Sequence, residues 1–242
     1  MEQHHATLFV VATPIGNLED ISLRALRVLG EVDALACEDT RRTRRIFARH
    51  EIPSPQTILS YREHNEETAG ARILRLLEQG NSVALCSDAG YPGISDPGYR
   101  IISAAIDGGH RVEVVPGASS VDTALVASGL PTSSYTFKGF PPRKSGPRRR
   151  WLETEGDAVH TLVIFESPHR LAKLLLDAYD VLGDRRAAVC IELTKKFEQV
   201  QRGRLSELAE TFAEQQIKGE VTVVVAGKSR KESPDAEAYG GG

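Results

Sequence analysis

The feature that most constrains this chain is an alternation through its first half. Short unbroken apolar runs alternate with apolar stripes at helical spacing. Leu8–Ala12, Ala34–Cys37 and Val83–Cys86 carry no polar residue, as strands of a parallel sheet buried on both faces require. Thr57–Tyr61 and Val112–Val115 read as two more strands. Between them, Leu23/Leu26/Leu29, Ile73/Leu76/Leu77 and Ile101/Ile102/Ala105 fall on single helical faces. Asp20 or Ser22 is placed to cap the first helix and Gly30 to stop it. Repeated strand–helix units predict a parallel α/β sheet with right-handed crossovers. In such sheets ligands bind beyond the carboxyl ends of the strands. The turns at 13–18, 38–45, 87–98 and 116–120 all follow strands, so they are expected to meet on one rim.

The longest of these turns is Ser87-Asp88-Ala89-Gly90-Tyr91-Pro92-Gly93-Ile94-Ser95-Asp96-Pro97-Gly98. Its glycines permit positive φ and close approach of a ligand to the backbone, and its prolines stiffen it. A loop that only connects is usually shorter. It therefore reads as a binding loop.

After Gly129-Leu130-Pro131-Thr132-Ser133-Ser134, a linker by composition, the pattern changes. Strands are expected at Tyr135–Phe140, Thr161–Phe165, Ala187–Leu193, Glu198–Arg204 and Val221–Ala226. Leu171/Leu174/Leu175/Ala178 and Leu205/Leu208/Ala209/Phe212 stripe two helices, the first opened by Ser167-Pro168. Both helices and short turns join these strands, which predicts a mixed sheet. The expected division is 1–130 for the first α/β domain, 131–228 for the second, and 229–242 as a disordered polar tail.

Composition narrows the functional classes. The net charge is −3, so no global field draws the protein to a polyanion, and any such site must be a local patch. Cys37, Cys86 and Cys190 sit in or beside apolar runs without C-x-x-C spacing, which suits buried thiols in a reducing cytoplasm rather than disulfides or zinc. The apolar runs are too short to span a membrane. There is no G-x-G-x-x-G after the first strand, no G-x-S-x-G and no H-E-x-x-H. Gly227-Lys228-Ser229 resembles the end of a P-loop, but no helix pattern follows it.

Two basic clusters stand out in a chain of negative net charge. Arg41, Arg42, Arg44 and Arg45 open a helix against its dipole, a cost of a few tenths of a kcal/mol. Arg143, Lys144, Arg148, Arg149 and Arg150 place five cations in eight residues of an expected proline- and glycine-bearing loop. Together they favour a phosphate-bearing partner. Glu38 and Asp39 are placed either to orient the arginines that follow or to act in catalysis. Glu192, inside an apolar strand, must be paired or functional, with Lys195 or an arginine as partner.

Seven ordered segments resemble the signature of the ribosomal RNA small subunit methyltransferase I family, within the tetrapyrrole methylase fold. They are Val11–Ile21, Glu38–Arg41, Ser87–Gly98, Pro116–Ser119, Gly139-Phe140, Glu166–Arg170 and Glu192–Lys195. Tyr91 and Ile191 depart from the family pattern, standing for a threonine and an arginine. The resemblance implies a two-domain fold with the donor site in the cleft between the domains. It implies S-adenosylmethionine as methyl donor, no metal, and methylation of the ribose 2′-hydroxyl of a cytidine in 16S RNA, free or in the small subunit. It also implies a homodimer. By the same resemblance Pro14, Ser87, Asp88, Ala89, Gly90, Ile94, Ser119 and Ser120 line the donor site, with Glu166, Leu193 and Gly219 from the second domain. Glu38, Asp39, Arg41 and Lys195 are the candidate catalytic residues. Two alternatives stand beside this reading: a tetrapyrrole methyltransferase of the wider fold, and a non-catalytic RNA-binding module.

Overall fold

The computed structural model describes residues 6–228; the expected tail at 229–242 lies outside the described residues. The chain divides after Ser120 into two compact units. This division precedes the expected linker at 129–134.

The first unit is a five-stranded sheet in the order β3-β2-β4-β1-β5, parallel throughout. Its strands are β1 (Thr7–Val11), β2 (Ala34–Cys37), β3 (Thr57–Ser60), β4 (Val83–Cys86) and β5 (Arg111–Val115). The helices are α1 (Leu23–Glu31), α2 (Thr40–His50), α3 (Glu66–Glu78) and α4 (Tyr99–Asp107). The continuous apolar strands are explained by two cores. Phe9, Val11, Leu35, Cys37, Ala84 and Cys86 face α1 and α2. Leu8, Ala34, Ala36, Val83 and Leu85 face α3 and α4. Ser22 caps α1, its hydroxyl accepting from the Ala25 amide at 3.1 Å. Gly30 does not stop that helix, which runs through it to Glu31.

This division of helices between the faces follows from strand order. From β1 through β2 to β3 the chain moves one way across the sheet. From β3 through β4 to β5 it moves back. Right-handed crossovers then put α1 and α2 on one face and α3 and α4 on the other. The loops leaving the adjacent strands β1 and β4 therefore part to opposite faces, which opens a crevice at a topological switch point.

The second unit takes in α5 (Ser120–Ser128) from its second residue and holds a mixed sheet in the order β6-β7-β10-β8-β9. These strands are β6 (Tyr135–Phe137), β7 (Thr161–Glu166), β8 (Arg186–Ile191), β9 (Gln199–Arg204) and β10 (Val221–Val225). Only β6 and β7 pair in parallel. Helices α6 (Ser145–Glu153), α7 (Leu171–Leu182) and α8 (Leu205–Glu214) cover one face through Leu152, Leu174, Leu175, Leu208 and Phe212. The Cys190 thiol on the other face lies 3.9 Å from the Ala124 carbonyl of α5.

Two expectations are corrected here. The segment 143–150 is mostly helix, not loop, because Arg148 and Leu152 occupy inward positions one turn apart on α6. Ser167 does not cap with its side chain. Its amide instead donates to Glu166 Oε1 at 2.6 Å, ahead of a short 3-10 turn at Pro168–Arg170. Among the described residues, no helix is long and apolar enough to cross a membrane.

Candidate active site

The four expected loops of the first unit do meet at one rim, tied by one main-chain bridge and by side-chain bonds to main-chain groups. Thr13 and Gly90 form an antiparallel bridge across the crevice, N to O at 2.9 and 3.0 Å. The Thr13 hydroxyl donates to the Ser87 carbonyl at 3.1 Å, joining the ends of β1 and β4. The Ser87 hydroxyl turns back onto the Ala89 and Gly90 carbonyls, both at 3.2 Å. Asp88 reaches β2: its Oδ1 accepts from the Asp39 amide at 3.0 Å and its Oδ2 lies 3.5 Å from Arg42. Tyr91 reaches the β5 loop, its hydroxyl accepting from the Gly117 amide at 3.2 Å. The tyrosine that departs from the family pattern is thus a tie between two of the loops. Pro14, Ser87 and Gly90 are buried, Asp88, Ala89, Ser119 and Ser120 half-buried, and Ile94 exposed.

Glu66 organises the far end of the central loop, a role that its place at a helix start did not signal. Its Oε1 accepts from the Tyr61 hydroxyl and the Gly98 amide, each at 3.2 Å, and Arg100 lies 3.6 Å from Oε2. Gly98 has φ +149, and a Cβ there would stand 2.8 Å from the Gly93 nitrogen. That neighbour is main chain, so admitting the Cβ requires the backbone to shift. Gly98→Ala is expected to lower stability by about 1–3 kcal/mol through backbone strain. An unchanged denaturation midpoint would show that the loop adapts.

The acidic pair after β2 separates into two roles. Asp39 caps α2, its Oδ1 accepting from the Arg41 amide at 2.8 Å, and this bond holds its carboxyl below the usual range. Glu38 is different. Its Oε1 is buried without a hydrogen-bond partner. Burial, then the nearby Asp96 and Asp88 carboxylates, push its pKa up to about 7, against smaller pulls from the Asp88 main-chain amide and then Arg42. The main-chain oxygen of Glu38 accepts from Arg62 Nε at 2.7 Å, which holds the residue at the rim. Arg41, Arg42, Arg44 and Arg45 are exposed on α2, and among the described residues only Arg42 of the four lies within ion-pair distance of a carboxylate.

In the second unit, Glu166, Glu192, Leu193 and Gly219 gather at one end of the sheet, because Val221 registers opposite both Glu166 and Ile191. Glu166 Oε1 lies 2.5 Å from Arg170, while its buried Oε2 has no partner. Glu192 is paired as expected: Oε1 is 2.7 Å from Lys195 Nζ and accepts from the Glu220 amide at 2.9 Å. Lys195 also reaches Glu220 at 3.0 Å, and these bonds raise its pKa against the opposing effect of burial. Gly219, at φ +95, leaves room for the Glu192 side chain, which any Cβ would meet. A cavity of about 530 Å³ opens beside Glu192, Phe197 and Gly219.

The second basic cluster is partly reassigned. Arg148 is buried at 2% exposure, with Nε and Nη2 on Asp177 Oδ2 at 2.7 and 2.6 Å. Arg149 bonds Asp180 at 2.6 Å. Arg148 is therefore a core ion pair, unable to reach a phosphate. Arg143, Lys144 and Arg150 remain exposed. Asp177 lies on the inward stripe of α7 beside Ala178, which in the sequence was the available sign of a buried partner.

A family model described as Tetrapyrrole (Corrin/Porphyrin) Methylases matches residues 7–209. The chain belongs to this family. It is a methyltransferase, and the family's methyl donor is S-adenosylmethionine. It is 47% identical over 229 residues to a ribosomal RNA small subunit methyltransferase I of Halalkalibacterium halodurans, covering 95% of this chain and 78% of that one. A protein of the same name from Micromonospora olivasterospora is 46% identical over 238 residues, with 98% and 74% covered. Among solved structures, a uroporphyrin-III C-methyltransferase of Thermus thermophilus complexed with S-adenosylhomocysteine shares the fold. It matches at 22% identity and a TM-score of 0.61, with 91% of this chain and 96% of that one covered. The rim of this methylase fits such a donor: the crevice lies at the switch point, and the neighbouring Asp88 and Asp96 carboxylates offer negative charge to a cation.

Proposed function

We propose that this methylase transfers a methyl group from S-adenosylmethionine to the ribose 2′-hydroxyl of a cytidine in the RNA of the small ribosomal subunit. One observation carries the reading. A half-buried carboxylate with one buried, unpartnered oxygen, Glu38, stands at the rim of the crevice just before a helix bearing exposed arginines. The first suits a hydroxyl proton and the second a phosphodiester strand. The names borne by relatives of 43–47% identity support the same substrate class.

S-adenosylmethionine, when bound, supplies a methyl group on a sulfonium that is already an activated leaving group. The chain's task is alignment, and positioning can contribute about 7–11 kcal/mol in well-oriented cases. Glu38 accepts the hydroxyl proton, or orients it, through its free oxygen. Asp39 acts through α2, fixing the helix whose Arg41 holds the neighbouring phosphate. Pro14, Ser87, Asp88, Ala89, Gly90, Ile94, Ser119 and Ser120 shape the donor crevice in the first unit. In the second unit Glu166, Leu193 and Gly219 are the proposed donor contacts, and the Lys195–Glu192 pair supports them. Arg42, Arg44, Arg45, Arg143, Lys144 and Arg150 extend the RNA contact. The acting form is proposed to be a homodimer, in the cytoplasm.

The deciding experiment is transfer of labelled methyl to small-subunit RNA and to assembled subunits, with a tetrapyrrole acceptor as control. Label in the tetrapyrrole alone would replace this reading with the wider family's chemistry. Arg41→Ala is expected to abolish transfer while donor affinity by calorimetry stays within about twofold, because the Arg41 side chain bonds no group among the described residues. Full activity would remove Arg41 from the mechanism.

A further inference from the structure

The end of the second sheet remote from Glu192 carries a second concentration of positive charge. Arg186 begins β8, Arg204 ends β9, and the two are directly registered across the ladder. Arg202 lies two residues before Arg204 and so shares its face of the sheet. All three are exposed, and they line one cavity of about 390 Å³ with Ser128, Leu130 and Glu207.

Fold stability does not call for this grouping. Like charges directly opposite on a ladder are destabilising. Charge on an outer strand discourages edge pairing, but Arg186 belongs to the inner strand β8. Among the described residues, none of the three makes an ion pair. Arg202 and Arg204 are positioned by carbonyls, which orient a guanidinium without neutralising it. Arg202 Nε and Nη2 donate to the Ala127 oxygen at 3.0 and 2.5 Å, and Arg204 Nη1 to the Asp184 oxygen at 2.9 Å. The Arg186 guanidinium makes no hydrogen bond among the described residues. Glu207, the one carboxylate in the cavity, accepts from the Arg204 amide at 2.9 Å. The cavity thus keeps a net positive charge, with most of its guanidinium donors free.

We propose that Arg186, Arg202 and Arg204 form an accessory site for the phosphate backbone of an RNA strand. Arginine forks suit phosphate oxygens, and such contacts set register without reading sequence. The site lies about 20 Å from the Glu192–Lys195 end, the length of β8 at roughly 3.3 Å per residue. It therefore engages RNA outside the methylated nucleotide. The inference rests on RNA being the substrate.

The test is equilibrium binding of the full chain to a labelled fragment of small-subunit RNA between about 50 and 200 mM salt. Replacing all three arginines by alanine is expected to weaken binding about tenfold or more and to reduce the log–log salt slope by about 2, at roughly 0.7 per phosphate contact. Arg186→Ala alone removes a side chain with no hydrogen bond or ion pair among the described residues, so it leaves the fold intact, and it should reduce the slope by about 0.7. A triple lysine variant should retain most of the slope. Unchanged affinity and slope in both alanine variants, with the unaltered protein binding RNA, would overturn the accessory site alone. No RNA binding by the unaltered protein would overturn the substrate reading, and this site with it.

Discussion

Replacing Glu38 by glutamine is expected to lower the rate of methyl transfer by about 10²–10⁴-fold, the usual contribution of a positioned acid–base group. The wild-type kcat/KM should rise with pH and level off above about 7, where burial and the Asp96 and Asp88 carboxylates set this group's titration. The substitution should remove that rise, leaving a low, flat profile. Donor binding should survive it. A glutamine variant that keeps the wild-type profile would show that alignment alone suffices and that Glu38 takes no proton. Stability carries the same signature with a defined sign. The folded pKa is raised, so the folded state holds this proton more tightly than the unfolded chain. The Glu38 contribution to stability is present below about 4.5 and is lost as pH rises to about 7.

Arg148→Ala is expected to cost about 3–5 kcal/mol of stability, because it leaves the buried Asp177 carboxylate without its guanidinium. Ser145 still donates to Asp177 at 2.9 Å, and Arg149 lies 3.5 Å away, half-exposed. Neither replaces a fork buried against α7. Chemical denaturation reads this directly. Arg150→Ala, on the exposed side of the same helix, should change stability by less than about 0.5 kcal/mol. A fully stable Arg148→Ala protein with weakened RNA binding would restore Arg148 to the interface and refute the structural role.

The contrast between these residues shows what the sequence disclosed. The first sheet was legible because its inner strands β1, β2 and β4 are covered on both faces, so Leu8–Ala12, Ala34–Cys37 and Val83–Cys86 are unbroken apolar runs. The meeting of the 13–18, 38–45, 87–98 and 116–120 loops followed from strand polarity. The individual roles were less visible. Glu38 and Asp39 are adjacent carboxylates with the same local pattern, and they differ only in what surrounds them: one is a helix cap, the other buried beside two like charges. Arg148 reads as one more cation in a basic run, since its partner lies in another helix. The Arg186, Arg202 and Arg204 grouping depends on strand register, which spacing along the chain does not report.

The Thr13–Gly90 bridge has a consequence for how such proteins diversify. A clasp made of peptide groups is indifferent to the side chains around it, so the residues displayed at its margins can be exchanged without loosening the frame. An opening framed in this way can be refitted by changes at its margins alone.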